Sequence, residues 1–162
     1  MECISLPWTT PLINGRPSNY FRSSRGLRQG CPLSPFLYII MAETLSIHLE
    51  NQRRQKEITG ISIVRGIKGI NHSLFTNDTL LIGGASSLMA RRFKQTLDLF
   101  LLVSGGKLNN NKCKIYTWNV PRQIIQRISS ILDIPAQMNW SHFMYLGLPL
   151  AKELVKTEIW RA

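Results

Sequence analysis

The chain has 162 residues, 44% of them hydrophobic, enough for one domain with a real core. Its 20 Lys and Arg against 9 Asp and Glu leave a net charge of +11, which favours a polyanionic partner, nucleic acid first, with a merely solvated cationic surface as the alternative. The longest strongly apolar run, Phe36 to Ala42, is far below membrane-spanning length, so no membrane partner is expected.

In chain order, Asn14-Gly15 between apolar runs signals a hairpin, with short strands around Ile13 to Phe21. Ser34-Pro35 offers an N-cap and a first-turn proline. Leu37, Met41, Leu45 and Leu49 then repeat every four residues, and the pattern predicts a helix from about Pro35 to Gln55. The basic run Arg53-Arg54 to Lys56 reads as its solvated end. Gly60, Gly66 and Gly69 punctuate a β-rich stretch: Ile58 to Arg65 and Ile67 to Thr76 are expected strands, Thr79 to Ile82 a third, with Asn77 and Asp78 at a tight turn. Met89, Phe93, Leu97 and Phe100 mark a second helix from about Ser87 to Val103, stopped by Gly105-Gly106. Lys112 to Trp118 reads as a strand. Pro121 opens a third helix with Ile124, Ile128, Ile131 and Leu132 inward, Pro135 ends it, and Phe143 to Leu148 is a further strand. Helices and strands alternate without a repeat, so the class is α+β or mixed α/β.

Cys3, Cys31 and Cys113 lie far apart without a CxxC pair or a histidine at zinc spacing. Neither a disulfide partner nor a metal knuckle is expected. Met1 to Trp8 lack a basic region followed by an apolar one, so the expected setting is intracellular, in cytoplasm or nucleus, and not secreted. His48, His72 and His142 are isolated in sequence and read as solvated or core residues rather than ligands.

Four boxes then carry a resemblance. Arg25 to Pro35 reads RGLRQGCPLSP, Phe75 to Asp78 reads FTND, Ser104 to Asn109 followed by Lys112 reads SGGKLN and K, and Tyr145 to Leu150 reads YLGLPL. In order and spacing these resemble the reverse transcriptases of plant LINE-like (non-LTR) retrotransposons, with RGxRQGxPLSP, F-A-D-D, SGLKLNxxK and YLGLPL boxes. Met1 to Ser5 and Leu12 to Gly15 resemble the stretch that precedes the first box. The likeness runs from Met1 to about Leu150. It implies an internal palm fragment of an RNA-directed DNA polymerase, a nucleotidyltransferase that uses Mg²⁺, an RNA template and a DNA primer. The expected fold is a partial right-hand palm of α+β class: an antiparallel sheet carrying the Asn77-Asp78 hairpin, packed on the helices near 35 to 55 and 87 to 103. Residues 1–150 would form the partial domain, lacking fingers and the first catalytic strand, and 151–162 a short C-terminal helical extension.

The chemistry of each box can be stated from its residues. Backbone that approaches a template base and a nucleotide closely needs bare positions, and Arg28, Gln29 and Gly30 set two hydrogen-bonding side chains beside one. The resemblance makes them template and nucleotide contacts. Pro32, Ser34 and Pro35 are explained by aiming the helix that follows. Cys31, where many relatives carry Asp, reads as family variation or as a small buried hydrophobe.

Two-metal phosphoryl transfer needs carboxylates flanking both ions. The turn has Asp78 alone, because Asn77 stands where the family has its first Asp, a principal metal ligand. An amide oxygen supplies no charge; a unit charge beside a divalent ion contributes on the order of 8 kcal/mol at ~4 Å and intermediate dielectric, before desolvation offsets part of it. The family also needs an Asp in an earlier box, and no Asp precedes Asp78. Glu43 and Glu50 lie along a helix where exposed carboxylates are the ordinary reading. The expectation is a truncated chain, beginning after the first catalytic strand and catalytically inactive, with Mg²⁺ not productively held. Lys112 corresponds to a lysine near the triphosphate, with a plain surface lysine as the alternative. Phe75 belongs to the hairpin box, and Tyr145 and Gly147 to the segment that grips the primer, although packing also explains Tyr145. The rival expectation is a non-catalytic basic nucleic-acid-binding remnant.

Overall fold

The computed structural model describes residues 8–22, 26–27, 30–62, 69–140 and 143–149. Arg28 and Gln29, the parts of the two expected strands that fall at 63–68 and the extension expected at 151–162 lie outside them.

Strands β1 (Trp8–Thr9) and β4 (Phe21–Arg22) pair antiparallel around an inner hairpin, β2 (Leu12–Ile13) and β3 (Arg16–Pro17). Asn14 and Gly15 turn it with φ of 52° and 77°, the left-handed pair that matches strand twist, as expected from Asn-Gly. Helix α1 (Ser34–Arg54) follows. Its N-cap is Leu33, not Ser34, and Pro35 sits in its first turn without interrupting a bond. Of the predicted stripe, Leu45 and Leu49 are buried and Leu37 and Met41 half-buried.

Hairpin strands β5 (His72–Phe75) and β6 (Asp78–Leu81) come next, then α2 (Ser87–Ser104), β7 (Ile115–Tyr116), α3 (Arg122–Leu132), β8 (Ala136–Gln137), β9 (Met144–Tyr145) and β10 (Leu148–Pro149). Helix α2 is capped by the Ser86 hydroxyl, which accepts from the Met89 amide, and it stops at Gly105 with φ 69°. Helix α3 ends two residues before Pro135, at Asp133 in the left-handed region (φ 55°).

The class is mixed α+β, as expected. The sheet is smaller than the sequence suggests: among the described residues it is five two-stranded ladders, and one of these, β7 with β8, is parallel. Helix α3 supplies the crossover that a parallel pair requires. Among the described residues between Ile58 and Ile70, Ile61 and Ile70 form an antiparallel bridge. There Gly60 passes so near Ile70 that an added Cβ would lie 2.5 Å from the Ile70 carbonyl oxygen, which no side chain tolerates.

The core lies where α1, α2 and the β5–β6 hairpin meet. Leu45, Leu49, Ile58, Met89 and Phe93 are buried together, with Leu74, Leu81, Phe100 and Leu132 packed against them. Thr96 of α2 donates to Gln52 of α1 at 2.8 Å, satisfying a polar pair where the helices cross. Helix α1 leaves another face open, with Phe36, Ile39 and Ile40 each more than 60% exposed.

Candidate functional site: the Asn77-Asp78 hairpin

Four cross-strand pairs fix the hairpin: His72 with Leu81, Ser73 with Leu80, Leu74 with Thr79, and Phe75 with Asp78. Strand alternation therefore gives it two distinct faces. His72, Leu74, Thr79 and Leu81 share the face toward α1, where Leu74 and Leu81 join the core. Ser73, Phe75, Asp78 and Leu80 share the other. Phe75 and Asp78 are exposed, at the end next to the turn.

The turn itself is Thr76-Asn77. Thr76 has φ 47°, a left-handed value that β-branched residues rarely adopt and that costs on the order of 1–3 kcal/mol. The Tyr38 hydroxyl, from the first turns of α1, donates to the Thr76 carbonyl, so the helix that follows the first box holds the tip of the second.

A second tie is a row of three side chains. Ser46 of α1 is hydrogen-bonded to His72 Nε2 at 2.9 Å, and His72 Nδ1 lies 2.7 Å from Asn71 Oδ1. The Asn71 amide nitrogen donates in turn to the Leu49 carbonyl at 3.0 Å. Asn71 is only 2% exposed, so each of these polar atoms needs its partner. With the Asn71 amide oxygen accepting, Nδ1 carries a proton. Sequence reasoning set His72 aside as isolated; its partners stand 26 residues away and next door, and only the first needs the fold.

On the opposite face, the Tyr145 hydroxyl donates to Ser73 Oγ at 2.8 Å. The Tyr145 segment is thereby joined to the face that carries Asp78. Leu146 and Gly147 turn β9 into β10 with φ of 53° and 79°, so the glycine is accounted for by a two-residue turn with positive φ at both positions. Gly30 likewise has φ 78° and nothing within 4 Å of an added Cβ: its own backbone asks for glycine before any ligand does. Lys112 is exposed in a turn, its amide bonded to the Asn109 carbonyl, and no described contact links it to the hairpin.

A cavity of about 370 Å³ lies between α1 and the hairpin, lined by residues that include Tyr38, Glu43, Ser46, His72 and Thr76. Glu43, exposed as the sequence reading expected, borders this cavity together with His72 and Ser73. Among the described residues no three His, Cys, Asp or Glu side chains converge in a way that could hold a metal ion. The donor set does not fit a two-ion centre: one carboxylate and one amide stand at the turn.

A family model described as reverse transcriptase (RNA-dependent DNA polymerase) matches residues 2–150. An uncharacterized mitochondrial protein of Arabidopsis thaliana is 44% identical over 68 residues, covering 42% of this chain and 56% of the relative. The retrovirus-related Pol polyprotein from a type-2 retrotransposable element of Drosophila melanogaster is 27% identical over 144 residues, covering 83% of this chain and 13% of the polyprotein. The chain thus spans about half the length of one curated relative and a small part of the other. Reverse transcriptases use divalent metal ions and bind an RNA template and a DNA primer; no described helix is long and apolar enough to cross a membrane. The non-LTR likeness of the four boxes is borne out, and the chain belongs to the reverse transcriptase (RNA-dependent DNA polymerase) family.

Proposed function

We propose that residues 1–150 form part of a non-LTR reverse transcriptase palm whose hairpin no longer assembles a two-metal centre, so that this chain alone does not extend a primer. The observation that carries the reading is the turn: Asn77 and Asp78 stand side by side, and Asp78 is its one acid. The supporting geometry is the pair of ties, Tyr38 to Thr76 and Tyr145 to Ser73, which hold the turn as a displayed feature rather than a loose loop. Asp78 is assigned as the remaining metal ligand and Asn77 as the degenerate one. Phe75 and Tyr145 share the nucleic-acid side of the hairpin. Arg28, Gln29 and Gly30 contact template and nucleotide, Gly147 shapes the primer-gripping turn, and Lys112 serves as the lysine near the triphosphate.

Divalent ions supply the charge that activates a primer hydroxyl and steadies pyrophosphate, and with one carboxylate present no step is assigned to them here. The test is primer extension with Mg²⁺ or Mn²⁺ on an RNA template. Background incorporation is expected; template-dependent incorporation abolished by Asp78→Ala would overturn the reading.

A net charge of +11 favours a companion reading, nucleic-acid binding without catalysis. Filter binding across a salt series checks it, since phosphate contacts make affinity fall steeply with salt, whereas flat or absent binding removes it.

A further inference from the structure

Four aromatic rings gather where β7 runs beside β8 and the chain returns toward β9. Tyr116 stacks on Phe143 with centroids 4.3 Å apart and planes at 28°, and meets Trp140 at 5.5 Å. Trp140 in turn meets Phe143 at 5.4 Å and Trp118 at 6.1 Å, both edge to face. The Trp140 indole donates to the Thr117 carbonyl at 3.0 Å, which fixes the ring that the others pack on. Tyr116, Trp140 and Phe143 are half-buried, but Trp118 keeps 52% of its surface exposed. A core needs no such outer member. The arrangement holds a large flat ring in one orientation at little entropic cost and leaves it open to solvent.

The chain that leads into and out of β7 is basic. Between Asp98 and Asp133 the sequence carries Lys107, Lys112, Lys114, Arg122 and Arg127 and no acid at all. Lys112 and Lys114 are exposed on the approach to β7, and by strand alternation Lys114 falls on the side of Tyr116. Phe143 stands two residues before Tyr145, whose hydroxyl reaches Ser73. That places the rings within about 7 Å of chain from a residue bonded to the hairpin face that displays Asp78.

We propose that Trp118, braced by Trp140 and with Lys114 on the same side of the chain, is a stacking site for an unpaired base of single-stranded nucleic acid, with a phosphate of the strand against Lys114. An exposed ring on a braced aromatic base suits a ligand with a π-face, and the exposed Lys114 suits a polyanion; a single strand offers both, whereas a duplex has its base faces already stacked. The site rests on the reading of the chain as a nucleic-acid-binding member of its family, and it lies apart from the catalytic turn.

The experiment is fluorescence polarisation of the full chain with three labelled probes of equal length: a single-stranded RNA, the corresponding duplex, and a single strand with abasic positions. The intact single strand is expected to bind about tenfold more tightly than the abasic one, and Trp118→Leu to lose about tenfold on the intact strand only. Trp118→Phe keeps a ring and retains most of the affinity. Changing Lys114 to Ala is expected to lower the slope of log affinity against log salt by about 0.7. Equal binding of intact and abasic strands by the unaltered chain overturns the site, whether or not the Trp118 variants fold. Salt-dependent binding that Trp118→Leu leaves unchanged also overturns it while nucleic-acid binding stands; no binding to any probe removes both.

Discussion

The Tyr145 hydroxyl donates to Ser73 Oγ at 2.8 Å, joining residues 72 positions apart. The last box of the sequence is thereby fastened to the strand that leads into the second. Tyr145→Phe is expected to destabilise the fold by about 1 kcal/mol, as is Ser73→Ala, and the double variant to cost little more than either. Urea denaturation of the four proteins measures this coupling, and strict additivity would show that the two side chains do not interact.

Asn71 serves α1 and His72 together from a fully buried position. Asn71→Ala removes a donor and an acceptor at once and strands the His72 Nδ1 proton. A loss of about 1–3 kcal/mol is expected, read as a lower urea midpoint with an unchanged slope.

The two apolar faces of the chain predict opposite responses. Phe93, 8% exposed in the core, is expected to cost about 3–5 kcal/mol on change to Ala. Ile39, 61% exposed on α1, is expected to cost no more than about 0.5 kcal/mol. Thermal melts of both variants decide it; a large loss at Ile39 would mean that something covers the outer face of α1.

Burial pushes the Cys113 thiol up from its ordinary value. The folded chain therefore holds this proton to higher pH than the unfolded chain does. Stability is unaffected below the ordinary cysteine range and falls as pH rises through it toward the raised value, where the unfolded state releases its proton first. Comparing denaturation midpoints of the unaltered chain and Cys113→Ala at neutral and alkaline pH isolates the effect. The Cys113→Ala variant is expected to lose less stability on the alkaline side.

Asn77→Asp places a second carboxylate at the turn. Divalent affinity, followed by free Mn²⁺ in electron paramagnetic resonance, is expected to rise about tenfold or more. Primer extension is expected to stay at background, because no Asp precedes Asp78 to complete the ligand set. Activity restored by this one change would show that another carboxylate reaches the site.

Much of the scaffold is legible in the residues. Leu45 and Leu49 on α1, Met89 and Phe93 on α2, and the Asn14-Gly15 turn are local patterns, and local patterns survive folding. The parallel pairing of β7 with β8 was not legible, because it depends on where α3 returns the chain rather than on any spacing within either strand. His72 was missed for the same reason: its bond to Ser46 spans two elements that periodicity treats separately. At the candidate site, the identity of Asp78 came from its box, but the face it occupies came only from the register of Phe75 opposite it. Gly30 and Gly147 also have positive φ, a local reason for glycine that the boxes alone do not reveal.

Gly60 and Asn77 mark two extremes of what this chain can absorb by mutation. At Gly60 a single methyl group collides with the Ile70 backbone, so any drift there breaks the bridge that leads into the hairpin. Asn77 is exposed at the turn, where exchanging an acid for an amide costs folding little. A lineage released from selection for activity would therefore lose its chemistry long before its shape, and its ancestry would stay readable in the scaffold after the reaction had gone.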